Sequence, residues 1–454
     1  VLLTLTEVGK ILGHSIFDES VVAGVSIDTR TLLPNALFVA IRGTKVDGHD
    51  YLSTAKERGA AGAIVETINT CVDLPQVCVT NTVDALGGLA NAVRRQQSSN
   101  VVGITGSYGK TTTKDMVAAV HGFSRSCHAT VGNFNTEIGL PLTILSAPHD
   151  VDTLVLEMGM RGSGQIAELV RIAEPNIGVI TSIGSAHIEL LGSRDAIAAA
   201  KSELFRGLAP SATAVFLETI DHRDVVDQSS AHCSRLVVGE SQSCDVIISN
   251  VRVGRLESSF TIAYKYESEN VVVASPARFA VTNGALSIAT GLAAGITLKD
   301  CVSGLATWRP SEGRMRPRRM ANGAVVLSDA YNAAPEAMLA AISVVADIGS
   351  QGTGSSWAVL GEMRELGVET KQWHIAVGEA VFASGIQHLV IVGDAASDYR
   401  VGALSAGMNP DQIHFFETSD KAAAVLQIVV ASSDVVLVKG SRAAGLDKIV
   451  DCLC

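Results

Sequence analysis

The stretch Val101-Val-Gly-Ile-Thr-Gly-Ser-Tyr-Gly-Lys-Thr-Thr-Thr-Lys114 decides the fold. An apolar run of β-type residues enters Thr105-Gly-Ser-Tyr-Gly-Lys-Thr111 and leaves it as a helix-like segment. Strand, glycine turn and helix start together make a phosphate cradle. Gly106 and Gly109 permit a tight turn with N–H groups pointing inward, and a helix beginning near Lys110 adds the positive end of its dipole. Lys110 supplies charge for terminal phosphates, and the Thr111 hydroxyl is placed to hold Mg2+. Thr105, Ser107, Tyr108 and Thr112 complete the candidate nucleotide loop. The usual spacing, Gly-x-x-x-x-Gly-Lys-Ser/Thr, asks for glycine at Ile104, and glycine stands one residue earlier, at Gly103. The alternative is a glycine-rich turn that binds nothing. Agreement of strand, turn, Lys-Thr pair and helix weighs against it.

Outward from this loop, strands and helices alternate from 101 to about 308. That pattern predicts a parallel sheet with helices on both faces. Strands are expected at 101–105, 153–157 and 177–181, and helices at 110–120, 138–146 and 195–206. Ligands of such sheets gather at the carboxyl ends of the strands. Glu157 ends the otherwise apolar Thr153-Leu-Val-Leu-Glu157, which favours an Mg2+ ligand over a capping or surface acid. His187 follows the strand ending at Thr181, at the same rim, and is a second candidate ligand. Lys201 lies in an amphipathic helical stretch, where a solvated lysine is ordinary, and the residues alone do not single it out. Residues 245–275 alternate as a β-ribbon does. Phe279 to Leu298 carries no charge over the length of a membrane span. Its Thr282, Asn283, Ser287, Thr290 and Thr297 predict a buried helix instead.

Before the loop, residues 1–97 read as a small mixed α/β unit. Strands are expected at 26–30, 36–43 and 63–66, a helix at 55–61, and a charged turn at Asp47-Gly-His-Asp50. Arg94 to Asn100 reads as a polar linker. Beyond the central unit, 98–308, the segment Arg309 to Arg319 holds five arginines and two prolines and reads as a charged linker. Apolar strands at 324–329, 357–361, 389–393 and 435–439 then predict a Rossmann-like C-terminal domain, 309–454.

Composition excludes several classes. The 454 residues are 47% hydrophobic, enough for full cores. With 35 Lys and Arg against 46 Asp and Glu, the net charge is −11, which excludes a general basic surface for nucleic acid. Eight cysteines without a Cys-x-x-Cys pair suggest neither a zinc site nor a disulfide framework, so free thiols in a reducing compartment are expected. No signal peptide is evident at the start.

The motifs carry a resemblance over nearly the whole chain. Ser26-Ile-Asp-Thr-Arg30, Leu37 to Gly43 and Asp47 to Asp50 are similar to the uridine-nucleotide-binding domain of the Mur ligases. The short Thr105 to Thr111 loop resembles that family's ATP loop, a form typical of ATP-dependent amide-forming ligases. Gly132 to Leu142, Glu157 to Ile166, Ala200 to Phe205, Gly313-Arg-Met315, Ser328 to Asn332, Gly361 to Gly367 and Val438 to Arg442 resemble further family motifs in the family's order. The resemblance is greatest to the branch that adds D-alanyl-D-alanine to UDP-N-acetylmuramoyl-tripeptide. The Asp-Asn-Pro-Arg of diaminopimelate-selecting members is absent.

The resemblance implies a three-domain α/β architecture: a UDP-sugar binder, a central P-loop parallel-sheet ATPase and a C-terminal Rossmann-like domain. It implies a cytoplasmic, monomeric ligase of peptidoglycan precursor synthesis that uses ATP and two Mg2+ ions and forms an acyl phosphate. Lys110, Glu157, His187 and Lys201 are implied as catalytic. Lys201 is implied as the lysine that the family carbamylates, His187 as a ligand of the second metal, and Glu157 as a ligand of the metal shared with Thr111. Asn283 is implied near adenine, and Arg314 and Asp329 as reaching the nucleotide from the third domain. Ser26, Asp28, Arg30, Asp47, His49, Asn135, Thr136, Tyr331 and Asn332 are implied as substrate-binding. The chain departs from the family pattern at Thr136, Glu137, Phe279, Ala280 and Ala334. A ligase of the same superfamily adding a single amino acid or glutamate, or a non-catalytic binding protein, are the alternatives. Retention of Lys110, Thr111, Glu157, His187 and Lys201 speaks against the last.

Overall fold

The computed structural model describes residues 3–185 and 188–454. Three larger sheets follow one another along the chain. The first has four parallel strands in the order Gly24–Ser26, Ala36–Val39, Gly62–Val65 and Gln76–Cys78. The strand expected over 26–30 stops at Ser26. Asp28 Oδ1 accepts the Arg30 backbone N–H at 2.9 Å, and its carboxylate also takes the Arg30 guanidinium, closing a turn in place of a ladder. The expected helix at 55–61 forms earlier, as Leu52–Glu57, and the charged turn is a 3-10 helix, Gly48–Tyr51, capped by Asp47.

The polar linker expected at 94–100 is mostly something else. Helix Thr82–Gln96 runs through Arg94, which is buried. Arg94 Nε donates to Ala173 O at 3.1 Å, and Asn91 Nδ2 donates to Arg171 O and Ile172 O. These carbonyls end the helix Gln165–Ala173 of the central unit. The apparent linker arginine therefore caps another helix, satisfying carbonyls that have no partner within their own helix.

The central sheet has nine strands. Seven run parallel, in the order Cys127–Ala129, Thr153–Glu157, Asn100–Thr105, Ile177–Ile180, Thr213–Leu217, Ser234–Gly239 and Val246–Val253. Ser258–Tyr264 and Glu267–Val273 extend it antiparallel, as the expected ribbon. The chain places successive strands first on one side of Asn100–Thr105 and then on the other. The order reverses at that strand, and a crevice opens at its carboxyl end. The helix expected over 195–206 is two, Arg194–Lys201 and Glu203–Arg206, joined at Ser202. The uncharged run is the buried helix Arg278–Ala293, and among the described residues no helix is long and apolar enough to cross a membrane.

The C-terminal sheet has six strands in the order Arg316–Arg319, Val325–Asp329, Val435–Lys439, Ser356–Leu360, His388–Val392 and Ile413–Phe416. All but the first run parallel. The arginine-rich linker is thus partly structure: Arg316–Arg319 forms the antiparallel edge against Val325–Asp329. Glu312 accepts from Arg318 Nη2 at 2.8 Å and also pairs with Arg316, offsetting part of the positive charge of this edge.

Candidate active site

The phosphate loop leaves strand Asn100–Thr105, turns through residues 106–109 and enters helix Lys110–Gly122. A Cβ at Gly106 would lie 2.0 Å from Thr181 Oγ1, so only glycine fits there. The loop is tied to the segment after strand Ile177–Ile180. Thr181 Oγ1 donates to Tyr108 O at 2.6 Å, Ser182 Oγ accepts from Tyr108 N at 2.9 Å, and Gly184 N donates to Ser107 Oγ at 2.8 Å. Lys110 Nζ donates to Gly106 O at 2.6 Å, folded back over the cradle. A Cβ at Gly109 would stand 3.2 Å from the buried Asn283 Oδ1, which places Asn283 against the loop as expected.

Glu157 ends its strand beside this loop and is 3% exposed. Its backbone N–H reaches Thr130 Oγ1 at 3.0 Å, and Oε1 accepts from Asn135 Nδ2 at 2.7 Å. Oε2 is buried with no partner among the described residues. An oxygen with unsatisfied lone pairs, at the carboxyl end of the sheet and next to a phosphate cradle, suits a hard cation. Among the described residues no group of three or more His, Cys, Asp or Glu gathers. The local donors are instead single carboxylate and hydroxyl oxygens, a set appropriate to Mg2+ and not to a soft metal.

Lys201 is 1% exposed, at the end of helix Arg194–Lys201. Burial, and then the charge of Lys110, push its ammonium well below the ordinary lysine range. No hydrogen bond or ion pair joins it to another described residue. Burial also pushes Lys110 down; Glu157 opposes this and Arg314 adds to it. A buried, uncompensated amine beside a second lysine is not the solvated lysine of a surface helix. His187 lies outside the described residues.

The C-terminal domain reaches the same crevice. Arg314 Nη2 stands 3.3 Å from Thr111 Oγ1, and its guanidinium carbon lies 4.0 Å from the centroid of the Tyr331 ring, with Arg442 at 5.4 Å. Ser311 Oγ donates to Asp115 on the phosphate helix at 2.6 Å. Asp329 is engaged within its own domain. It accepts from Met315 N at 3.1 Å and from Lys439 Nζ at 2.5 Å, which sets the Arg314 turn. Asn332 and Thr136 are exposed.

The residues expected to hold a nucleotide sugar lie on the first sheet. Asp28 and Arg30 form one exposed turn. His49 is held on both sides: Nδ1 bonds Asp47 Oδ1 at 2.7 Å and Nε2 accepts Glu66 N at 2.9 Å. Its ring pins the Gly48–Tyr51 turn to the end of strand Gly62–Val65. Ser26 Oγ bonds Asp28 O. Among the described residues no hydrogen bond joins this group to the phosphate loop. Two surface cavities, of about 420 and 550 Å3, lie away from all these residues and do not mark the site.

Residues 104–291 match the Mur ligase middle domain, 313–442 the Mur ligase glutamate ligase domain, and 21–94 the Mur ligase family catalytic domain. The UDP-N-acetylmuramoyl-tripeptide–D-alanyl-D-alanine ligase of Escherichia coli K12 is 35% identical over 94% of this chain and 93% of that protein. The chain belongs to the Mur ligase family. The same-named ligase of Bacillus subtilis 168 is 33% identical to this Mur ligase over 97% of this chain and 94% of its own. The crystal structure of MurF from Acinetobacter baumannii superposes with a TM-score of 0.91 at 26% identity, covering 100% of this chain and 99% of that one. The MurF ligase from Thermotoga maritima in complex with ADP gives 0.84 at 29%, over 95% and 96%.

Four residues of this Mur ligase site escaped the sequence reading in their roles. Thr181 and Ser182 hold the loop, and their signal was position alone, just past a strand end. Thr130 orients Glu157, and nothing local marks it. Lys439 ends the apolar strand Val435–Lys439 and is 2% exposed. The pattern that exposed Glu157, one charge closing an apolar strand, marks it equally.

Proposed function

We propose that this Mur ligase joins D-alanyl-D-alanine to UDP-N-acetylmuramoyl-tripeptide, using ATP, in the cytoplasmic synthesis of peptidoglycan precursors. Near-full-length similarity to ligases of that name, at 33–35% identity, is the observation that carries the substrates. The phosphate cradle and the ADP complex of the similar Thermotoga maritima structure support ATP. Eight free thiols suit a reducing compartment. We place the domain limits at 97/98 and 308/309.

In this reading the tripeptide carboxylate attacks the γ-phosphorus and ADP leaves. The amine of the dipeptide then attacks the acyl phosphate, phosphate departs, and an amide remains. Lys110 and the inward N–H groups of the loop hold the phosphates in line, and positioning with fixed charge carries most such catalysis. Glu157, Thr111 and Lys201, the last as its carbamate, would hold Mg2+. That ion, when bound, neutralises charge on the transferring phosphoryl group. Burial disfavours the ammonium form of Lys201, and the neutral amine is the form that reacts with CO2. Arg314 adds a planar cation from the C-terminal side. Closure of that domain excludes water, which would otherwise hydrolyse the acyl phosphate.

The deciding assay follows ADP release with UDP-N-acetylmuramoyl-tripeptide and either D-alanyl-D-alanine or single amino acids. Turnover that needs the dipeptide supports the reading. Turnover with a single amino acid moves the protein to another branch of the family.

A further inference from the structure

Two neighbouring amides after strand Ile177–Ile180 point to different domains. Gly184 N donates to Ser107 Oγ in the phosphate loop at 2.8 Å. Ser185 N donates to Glu336 Oε1 at 2.7 Å. Glu336 lies in the first turn of helix Pro335–Ser350, in the C-terminal domain. Its second oxygen, Oε2, is buried with no partner among the described residues. A carboxylate drawn out of water for one contact holds that contact for a reason other than its own solvation.

The packing is close. A Cβ at Gly184 would lie 3.1 Å from Tyr108 Cε1 and 3.2 Å from Glu336 Oε1. A side chain at 184 would make the Tyr108 ring and the Glu336 carboxylate give way by a few tenths of an ångström, so this peptide, the loop and the carboxylate meet closely. Ser107 receives its bond as an acceptor, so its own hydroxyl hydrogen remains available to a phosphate.

We propose that Glu336 is a positioning residue, a latch that couples an occupied phosphate loop to docking of the C-terminal domain. A phosphate that orders Ser107 fixes Gly184, and the adjoining Ser185 amide is then presented to Glu336. The carboxylate brings Arg314 and Tyr331 with it, because all three ride on one domain. A plain helix-terminus acid would serve only its own helix dipole. This inference rests on the proposed ATP-dependent reading.

The test compares the full-length parent with Glu336→Gln, Glu336→Ala and Gly184→Ala. Two readouts are used: kinetics of ADP release, and small-angle scattering with and without a non-hydrolysable ATP analogue. Glutamine keeps the acceptor oxygen, so Glu336→Gln should remain within about threefold of the parent. Glu336→Ala should lose about tenfold or more in kcat/KM for ATP, the order expected for a lost hydrogen bond to a charged group, and Gly184→Ala, which crowds the same contact, should lose about threefold or more. Both should keep a larger radius of gyration when the analogue is bound, at unchanged far-ultraviolet circular dichroism. A Glu336→Ala protein that compacts and turns over like the parent overturns the latch, as does Glu336→Gln failing as badly as alanine. A parent that compacts with the analogue yet releases no ADP with any acceptor defeats the ligase reading. The scattering comparison then still judges the latch.

Discussion

Arg314 and Thr111 meet across two domains, with Nη2 3.3 Å from Oγ1, at the first turn of the phosphate helix. The same guanidinium stacks on Tyr331. Flat stacking and a fixed fork are properties of arginine that lysine lacks. Arg314→Lys should therefore lose about tenfold or more in kcat while its unfolding midpoint stays near that of the parent. Steady-state ADP release with thermal unfolding checks this. A fully active lysine variant would show that only charge matters there.

Lys110→Ala removes a half-buried side chain that folds back over the cradle onto Gly106 O. ADP formation should fall below about one part in a thousand of the parent rate, with the circular dichroism spectrum retained. Binding of a fluorescent ATP analogue at equilibrium separates lost affinity from lost chemistry.

Lys201 yields a double prediction. A buried amine without a described partner destabilises the bare protein, so Lys201→Met, similar in volume, should unfold at equal or higher denaturant concentration in CO2-free buffer at pH 7.5. The lowered amine pKa means that the unfolded chain holds this proton more tightly than the native chain does, so the penalty shrinks as pH rises toward the ordinary lysine value. The same variant should be inactive. Lys201→Ala should regain part of its rate from added short-chain carboxylates, and Lys201→Arg should not. An active Lys201→Ala enzyme would remove the carbamate.

His121 is buried in the phosphate helix between Thr153 and Thr290, and burial holds its pKa down at about 4. Its folded pKa lies below the unfolded value of about 6.5. Stability from the neutral ring is thus complete above pH 6.5 and is lost as pH falls toward 4, up to about 3 kcal/mol. Denaturant unfolding at pH 7.5 and 5.0 should show the loss, and His121→Gln should flatten it. Equal slopes in both proteins would assign the acid sensitivity elsewhere.

Lys439 and Asp329 form a pair with side chains 3% and 14% exposed. Removing one charge strands the other, so Lys439→Met should destabilise the protein by about 3 kcal/mol. Lys439→Met combined with Asp329→Asn should recover part of this, as a double-mutant cycle by chemical denaturation would measure.

The phosphate loop was legible because its strand, turn and helix each follow local rules, and Glu157 because a single charge closes an apolar strand. Arg94 was misread for the opposite reason. Its role is to cap carbonyls some 80 residues away in the chain, and only the folded packing brings them to it. Arg316–Arg319 has no strand-like composition and becomes a strand only because Val325–Asp329 offers an edge. His49, implied as substrate-binding by the resemblance, has both ring nitrogens engaged within its own domain, a hydrogen-bond allocation that spacing cannot reveal. Glu336 gives no sequence signal at all, because its partner is a backbone amide in another domain.

The short edge strand also sets a mechanical limit. Pro310 and Met315 are both buried and Arg314 sits over Tyr331 of the last domain, so the stretch able to swing is residues 311–313. Three extended residues span at most about 10 Å. The last domain is on a short tether: it pivots about a nearly fixed point and does not wander. Labels placed on helices either side of that tether should report one rotation of bounded arc, and an insertion of a few glycines after the exposed Glu312 should lengthen the search for the closed pose without changing its contacts.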